Sequence, residues 1–246
     1  MAARPQPDRE TAPAVQRLRL QYAKRGRLRF SSARDFQRAL ERALRRAEIP
    51  MAYSAGFHPH PKISYANAAP TGVASEAEYV ELAVTDRCDP EAVRRALDEA
   101  LPPGLDVVAV VEARTSDFAN RLEASVWQVE LPGVEPARLA GAVEALMAAD
   151  EVLVERMTKN GRRTFDARGA VMAARLQEGA PADCAILTLV VRHGTPSVRP
   201  DDVLSALTRV ADLVPPKPPR VTRLAQGPIG GDGISVADPL GPDRAA

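Results

Sequence analysis

Glu78-Tyr-Val-Glu-Leu-Ala-Val84 alternates with a period of two, Tyr79, Glu81 and Ala83 on one face and Val80, Leu82 and Val84 on the other. That is the pattern of a strand. Asp89-Pro90-Glu91 follows as a helix start, with proline at the first helical position, where its missing N–H has no intrahelical partner to lose. Val93, Ala96, Leu97 and Leu101 form the buried stripe of that helix, and Pro102-Pro-Gly104 ends it. Leu105-Asp-Val-Val-Ala-Val-Val111 is an apolar strand.

Working back from Glu78, Leu18, Leu20 and Tyr22 alternate with Arg19 and Gln21 as a half-buried strand. Lys24-Arg25-Gly26-Arg27 is a basic turn, and Leu28 and Phe30 resume the alternation. A hairpin or one long bulged strand is expected there. Ser32-Ala-Arg-Asp35 has the spacing of a capping box. Phe36, Leu40, Ala43, Leu44 and Ala47 make one apolar stripe, Arg38, Glu41, Arg42 and Arg45 face away, and Pro50 stops the helix. Ile63, Tyr65 and Asn67 share one side of a short strand, and Pro70-Thr-Gly72 is turn chemistry. The order from Leu18 is β, α, β, β, α, β, the ferredoxin-like split pattern.

Arg114 to Ala124 breaks the periodicity and reads as a linker. The same order then returns. Val126–Leu131 is a strand, Pro136 opens a helix with Leu139, Val143, Leu146 and Met147 buried, and Val152–Arg156 is the next strand. Asn160-Gly161 marks a hairpin turn into Arg163–Arg168. Val171–Leu176 reads as a short helix or an irregular connection, and Ala185–Val191 as a central strand. A helix follows from Arg199, then a closing strand over Arg220–Leu224. The expected class is α+β: two tandem ferredoxin-like (βαββαβ) modules with antiparallel sheets. The modules span 16–113 and 125–225, joined by a linker over 114–124. A disordered arm, 1–15, precedes them, and a Gly/Pro-rich disordered tail, 226–246, follows. A single mixed sheet with helices on one face is the alternative.

In 246 residues the net charge is +1, so there is no global attraction to nucleic acid or membrane, and any electrostatic recognition needs a local patch. Cys88 and Cys184 are the only cysteines, too few for a structural zinc or an iron–sulfur cluster. With no apolar leader and no spanning run, a soluble, cytoplasmic protein is expected, with no membrane partner.

Tyr53-Ser-Ala-Gly-Phe-His-Pro-His-Pro-Lys-Ile-Ser-Tyr-Ala-Asn67 concentrates unusual residues. His58 and His60 could share a metal, act as acid or base, contact a partner, or be plain surface groups. No third ligand lies nearby in sequence, so no metal and no cofactor are expected. Lys24, Arg25, Arg27 and Lys62 could join the loop in a basic patch interleaved with Tyr53, Phe57 and Tyr65, the chemistry that holds single-stranded RNA. Equally, Tyr65 could be core, and Glu76, Glu78 and Glu81 could neutralise the cations. Asp166 and Arg168 read as structural groups as readily as site residues, His193 as a turn residue at a strand end. The candidate binding set is Gly56, Phe57, His58, His60, Lys62, Tyr65 and Asn67 with Lys24, Arg25 and Arg27; no catalytic residue is assigned.

Gly56–Tyr65, followed by Pro70-Thr-Gly-Val-Ala-Ser-Glu-Ala-Glu-Tyr79, resembles the radical-SAM-linked family of bacterial proteins of unknown function. Leu28–Ser32, Arg42–Arg46, Phe165–Arg168 and Val198–Leu204 are similar to its weaker signatures, over roughly Arg17 to Leu224. The resemblance implies a domain encoded beside, or fused to, a radical SAM protein. This chain lacks the closely spaced cysteine triplet of such an enzyme. Ala33 stands where the family often carries histidine. The resemblance, taken with the basic and aromatic loop, leads to the expectation of a non-catalytic accessory subunit that binds or presents substrate, an RNA, through Gly56–Asn67 to a separately encoded radical SAM protein. A metal-independent endoribonuclease of tandem ferredoxin-like architecture and a structural scaffold are the alternatives.

Overall fold

The computed structural model describes residues 12–55, 57–158, 161–179, 181 and 183–244. The fold is α+β. The chain divides into two compact units, one running to Ala119 and regaining the chain end from Leu240, the other Asn120–Pro239.

The first unit contains β1 (Gln16–Lys24), α1 (Ala33–Arg46), β2 (Ile63–Ala66), β3 (Ala74–Val84), α2 (Pro90–Ala100) and β4 (Leu105–Glu112). Its strands lie in the order β4-β1-β3-β2, every neighbouring pair antiparallel. Leu18, Leu20, Val80, Leu82 and Val84 on one sheet face meet Phe36, Leu40 and Leu44 of α1 and Val93 and Leu97 of α2 in a single buried core. α1 starts where the sequence puts it. The Asp35 N–H donates to Ser32 Oγ at 3.2 Å, and the Ser32 N–H donates to Asp35 Oδ2 at 3.1 Å. In α2 the Asp89 carboxylate accepts the Ala92 N–H at 3.0 Å, with Pro90 leading the helix.

Leu28 and Phe30 do not extend β1. Gly26–Phe30 is a 3-10 turn: Gly26 takes a left-handed φ of 53°, and the Leu28 N–H closes onto the Arg25 carbonyl at 3.0 Å. Phe30 is consequently exposed.

The second unit contains β5 (Ala124–Pro132), α3 (Pro136–Ala148), β6 (Leu153–Thr158), β7 (Gly161–Asp166), β8 (Val171–Leu176), β9 (Cys184–Arg192), α4 (Pro200–Ala211) and β10 (Arg220–Gly227). Its sheet has the order β10-β5-β9-β8, again antiparallel throughout. Leu139 and Leu146 of α3 and Val203 and Leu207 of α4 are buried, as are Val129, Leu131, Leu187 and Leu189 on the strands.

Two expectations change here. The strand that follows α3 is not part of the sheet: β6 pairs only with β7, in a separate hairpin. Asn160 of its turn lies outside the described residues. The sheet's edge position is taken by β8, the segment expected to be a helix or irregular, paired to β9 from Val171↔Val191 to Leu176↔Leu187. Arg156 anchors the hairpin to α4, its guanidinium 2.7 Å from Asp202 Oδ2. Asp166 caps the hairpin's return by accepting the N–H groups of Val152, Arg168 and Gly169.

The chain end also departs from the expected disordered tail. Ile229 bridges Val236, and Gly241–Arg244 forms a helical turn, α5, with Leu240 and Asp243 buried. In the first unit Asp243 Oδ2 meets Arg19 Nη1 at 2.5 Å, and its other oxygen accepts from the Thr115 N–H and hydroxyl at 3.0 and 2.5 Å. This carboxylate, not local propensity, holds α5 and the start of the expected linker in place. Within that linker Phe118 and Leu122 are buried. Among the described residues no helix is long and apolar enough to cross a membrane.

Candidate functional site

The histidine-rich stretch is a backbone-braced hairpin branching from the edge of β3. Met51 bridges Val84, and the Ala52 N–H donates to the Ala83 carbonyl at 2.8 Å. The Lys62 N–H returns to the Ala52 carbonyl at 2.8 Å, and the Ser54 N–H to the His60 carbonyl at 2.8 Å. Between these two bonds Tyr53 faces Pro61. Proline has no N–H to give, so it fits only at such a position of the ladder. The His60 N–H donates to Ser54 Oγ at 3.0 Å and closes the neck. Phe57, His58 and Pro59 therefore stand at the tip, exposed, with Phe57 58% accessible. Gly56 lies outside the described residues.

After the neck the chain enters β2 and its side chains alternate. Ile63 and Tyr65 pair with Leu82 and Val80 on the helix side. Tyr65 sets its ring edge-on to Phe36, centroids 6.2 Å apart, and Phe36 stacks flat on Tyr22 at 4.0 Å. Burial, and then the nearby Glu41 carboxylate, push the Tyr65 phenol up to about 12. Tyr65 is thus a half-exposed end of a core stack. Asn67 ends the strand with a left-handed φ of 46°, which asparagine tolerates better than most residues.

Ser64 and Ala66 face the other way, opposite Glu81 and Tyr79. There a cavity of about 340 Å³ is lined by Arg17, Ser64, Glu81, Thr115, Asp117 and Phe118, among others. Its floor is ionic: Glu81 bridges Arg17 and Arg19 at 3.0 Å each. Arg19 lies over the Phe118 ring, 4.9 Å from its centre. Sequence pattern marks these positions only as the polar side of two strands; their convergence depends on pairings about 60 residues apart.

The expected basic patch does not assemble around the loop. Lys24 is buried at the end of β1, its ammonium donating to the carbonyls of Ala69 and Pro70. Arg25 is taken up by Glu76 and by Asp106, the latter at 2.8 Å. Those hydrogen bonds, Glu76's first, raise its pKa further and keep it charged. Arg27 and Lys62 are exposed. The structure thus gathers Phe57, His58, His60 and Lys62 on one hairpin, places Tyr65 beneath it, and spends Lys24 and Arg25 on structural contacts.

His193 belongs to the second unit. Its Nδ1–H donates to the Leu122 carbonyl at 2.5 Å, which leaves Nε2 to accept from the Ser125 hydroxyl at 2.7 Å. Burial lowers its pKa, so it stays a neutral structural imidazole. Among the described residues no three His, Cys, Asp or Glu side chains converge as metal ligands.

Fold and site together define an α+β protein that exposes a rigidly necked aromatic and imidazole loop from a sheet edge. A model for the family described as "Uncharacterized protein conserved in bacteria (DUF2344)" matches residues 17–200, and the chain belongs to that family. Comparison with curated proteins gives no match.

Proposed function

We propose that the chain is a non-catalytic accessory subunit that binds a substrate, RNA, for a separately encoded radical SAM enzyme. The observation that carries this reading is the hairpin itself. Backbone bonds fix its neck, so an exposed phenyl ring and two imidazoles are presented at little entropic cost on binding. Among the described residues neither His58 nor His60 has a side-chain hydrogen-bond partner, so no triad-like orientation of a base supports catalysis at the tip. The partner class rests on the resemblance of the Gly56–Tyr65 motif. The two cysteines, one in each unit, suit a subunit that relies on another chain for the cluster. The β4-β1-β3-β2 order of the first unit and the β10-β5-β9-β8 order of the second support reading each as a ferredoxin-like module, the second carrying the β6–β7 hairpin as an insertion.

Tagged protein recovered from its native host should enrich both a radical SAM protein and RNA; enrichment of neither ends the reading. A Phe57→Ala, His58→Ala, His60→Ala variant should unfold within about 0.5 kcal/mol of wild type, because the three side chains are exposed, yet lose RNA capture. Purified wild type should leave structured RNA uncut. Cleavage that disappears in the same variant would replace the accessory role by a nuclease.

A further inference from the structure

The face of α1 turned away from the core carries Arg34, Arg38, Arg42 and Arg45, all exposed. At 100° per residue they fall within one narrow sector opposite Phe36, Leu40, Ala43 and Leu44. The helix holds five arginines against two carboxylates. Neither carboxylate forms a salt bridge to the stripe. Asp35 accepts the Ser32 N–H and hydroxyl in the cap through Oδ2, and those bonds, more than the nearby Arg38 and Arg34 charges, hold its pKa down. Glu41 accepts from the Gln37 amide at 3.0 Å. Among the described residues none of the four guanidiniums forms a salt bridge or a hydrogen bond.

This arrangement works against the helix. Arg34/Arg38 and Arg38/Arg42 are like charges at i,i+4, which destabilise a helix. Arg34 also sits in the first turn, where the macrodipole disfavours a cation; only Arg45, in the last turn and four residues after Glu41, is placed where the helix favours it. A solvated face needs no such run, since alternating signs would stabilise it. Four arginines repeating every three or four residues, about 4.5–6 Å along the axis, make a ladder of positive charge matched to a linear polyanion. Just before the helix, Phe30 is 59% exposed with the Arg29 guanidinium 4.7 Å from its ring centre, a surface on which a base can stack.

We propose that the outer face of α1 is the phosphate-backbone track for single-stranded RNA, with Phe30 stacking a base at its N-terminal end. The track rests on the RNA-binding reading above and gives it a surface distinct from the histidine loop. The contacts are to phosphates, so they are independent of sequence, and any single strand serves as probe.

The test uses the full chain and a fluorescent mixed-sequence RNA about twenty nucleotides long, titrated between about 50 and 300 mM KCl. Replacing all four arginines by glutamine should weaken binding at least about tenfold and make the slope of log affinity on log salt shallower by about 3, about 0.7 per lost phosphate contact. The thermal midpoint should hold or rise, because the repulsion is gone. The matching four-lysine variant should retain most of the slope. Wild-type affinity and slope in the glutamine variant overturn the track while leaving RNA binding by the chain intact. Failure of wild type to bind any RNA at the lowest salt removes the track together with the RNA part of the accessory role. Unchanged RNA binding with lost capture of the enzyme would instead assign the face to a protein partner and also overturn the track.

Discussion

Asp243→Ala should lower the stability of the first unit by about 2–3 kcal/mol, short of the ~3–5 kcal/mol for a buried charge left wholly unpaired, because Arg19 keeps Glu81. Asp243 is 3% exposed and sits in a four-residue helical turn with little stability of its own. It accepts from Arg19, from the Thr115 hydroxyl and from the N–H groups of Arg114 and Thr115. Arg19, itself 2% exposed, keeps Glu81 and the Thr115 carbonyl when the carboxylate goes, but loses its shortest charged partner at a buried position. An Arg19→Met, Asp243→Leu pair should recover much of the loss, because an apolar pair leaves no buried charge uncompensated.

The same site sets a pH window. Burial alone would raise the Asp243 carboxyl, but the hydrogen bonds from Thr115 and Arg19 overcome it and hold the group down to about 2. Its folded pKa is below its unfolded value near 4, so the stabilisation is complete above about pH 4 and drains away as pH falls toward 2. It amounts to about 2–3 kcal/mol at neutral pH. Acid unfolding of the Ala variant should be flatter over that interval. Tyr22, Tyr53, Tyr65 and Tyr79 are all in the first unit and the single tryptophan, Trp127, is in the second. Near-ultraviolet tyrosine signal therefore follows the unit at issue, and tryptophan fluorescence supplies the control. A variant whose tyrosine transition moves by less than about 0.5 kcal/mol would show that α5 is held by something other than this carboxylate.

Elements with local signals were legible in the sequence. α1 and α2 announce themselves by side-chain caps three residues from the N–H groups they satisfy, followed by stripes at helical spacing. β8 does not. Met172, Ala173, Ala174 and Leu176 are good helix formers, and they are extended because β9 offers an unpaired edge, a tertiary effect that outweighs propensity. Val152–Arg156 carries a convincing strand pattern and is a strand, but only its partner decides which sheet it joins. The chain end looks disordered because its composition is Gly- and Pro-rich, and the partner that orders Asp243 is 224 residues away. At the candidate site, the exposure of His58 and His60 follows from the prolines beside them. Lys24 and Arg25 did not, since the groups they bind are brought in by β3, β4 and the segment before β3. The arginine face of α1 was visible as the polar side of an amphipathic helix; that none of its four guanidiniums forms a salt bridge among the described residues is a fact of three dimensions.

Phe36→Ala should cost the first unit about 3–5 kcal/mol, the range for deleting a buried phenyl ring from a packed core. Phe36 is 5% exposed and is the middle ring of three, flat against Tyr22 with an interplanar angle of 5° and edge-on to Tyr65 at 86°. The edge-on contact with Tyr65 suits the ring quadrupole and the flat contact with Tyr22 adds close packing, so two aromatic contacts disappear along with the buried area. The effect should also be seen from the surface end of the stack. Water entering the cavity would relieve the desolvation that holds the Tyr65 phenol near 12, and its titration should move down toward 10. Tyrosinate absorbance reads that shift, and a Tyr65→Phe chain, which lacks the high-pKa transition, identifies the group. The sign for stability follows. With its folded pKa above the unfolded value, Tyr65 favours the folded state fully below about pH 10 and loses that preference as pH rises toward 12, so wild type should weaken across this interval more than Tyr65→Phe does. A Phe36→Ala chain that keeps both its stability and the high Tyr65 titration would mean that β2 is held over α1 by its ladder to β3 alone. The hairpin that follows the same sheet edge would then be positioned independently of the core.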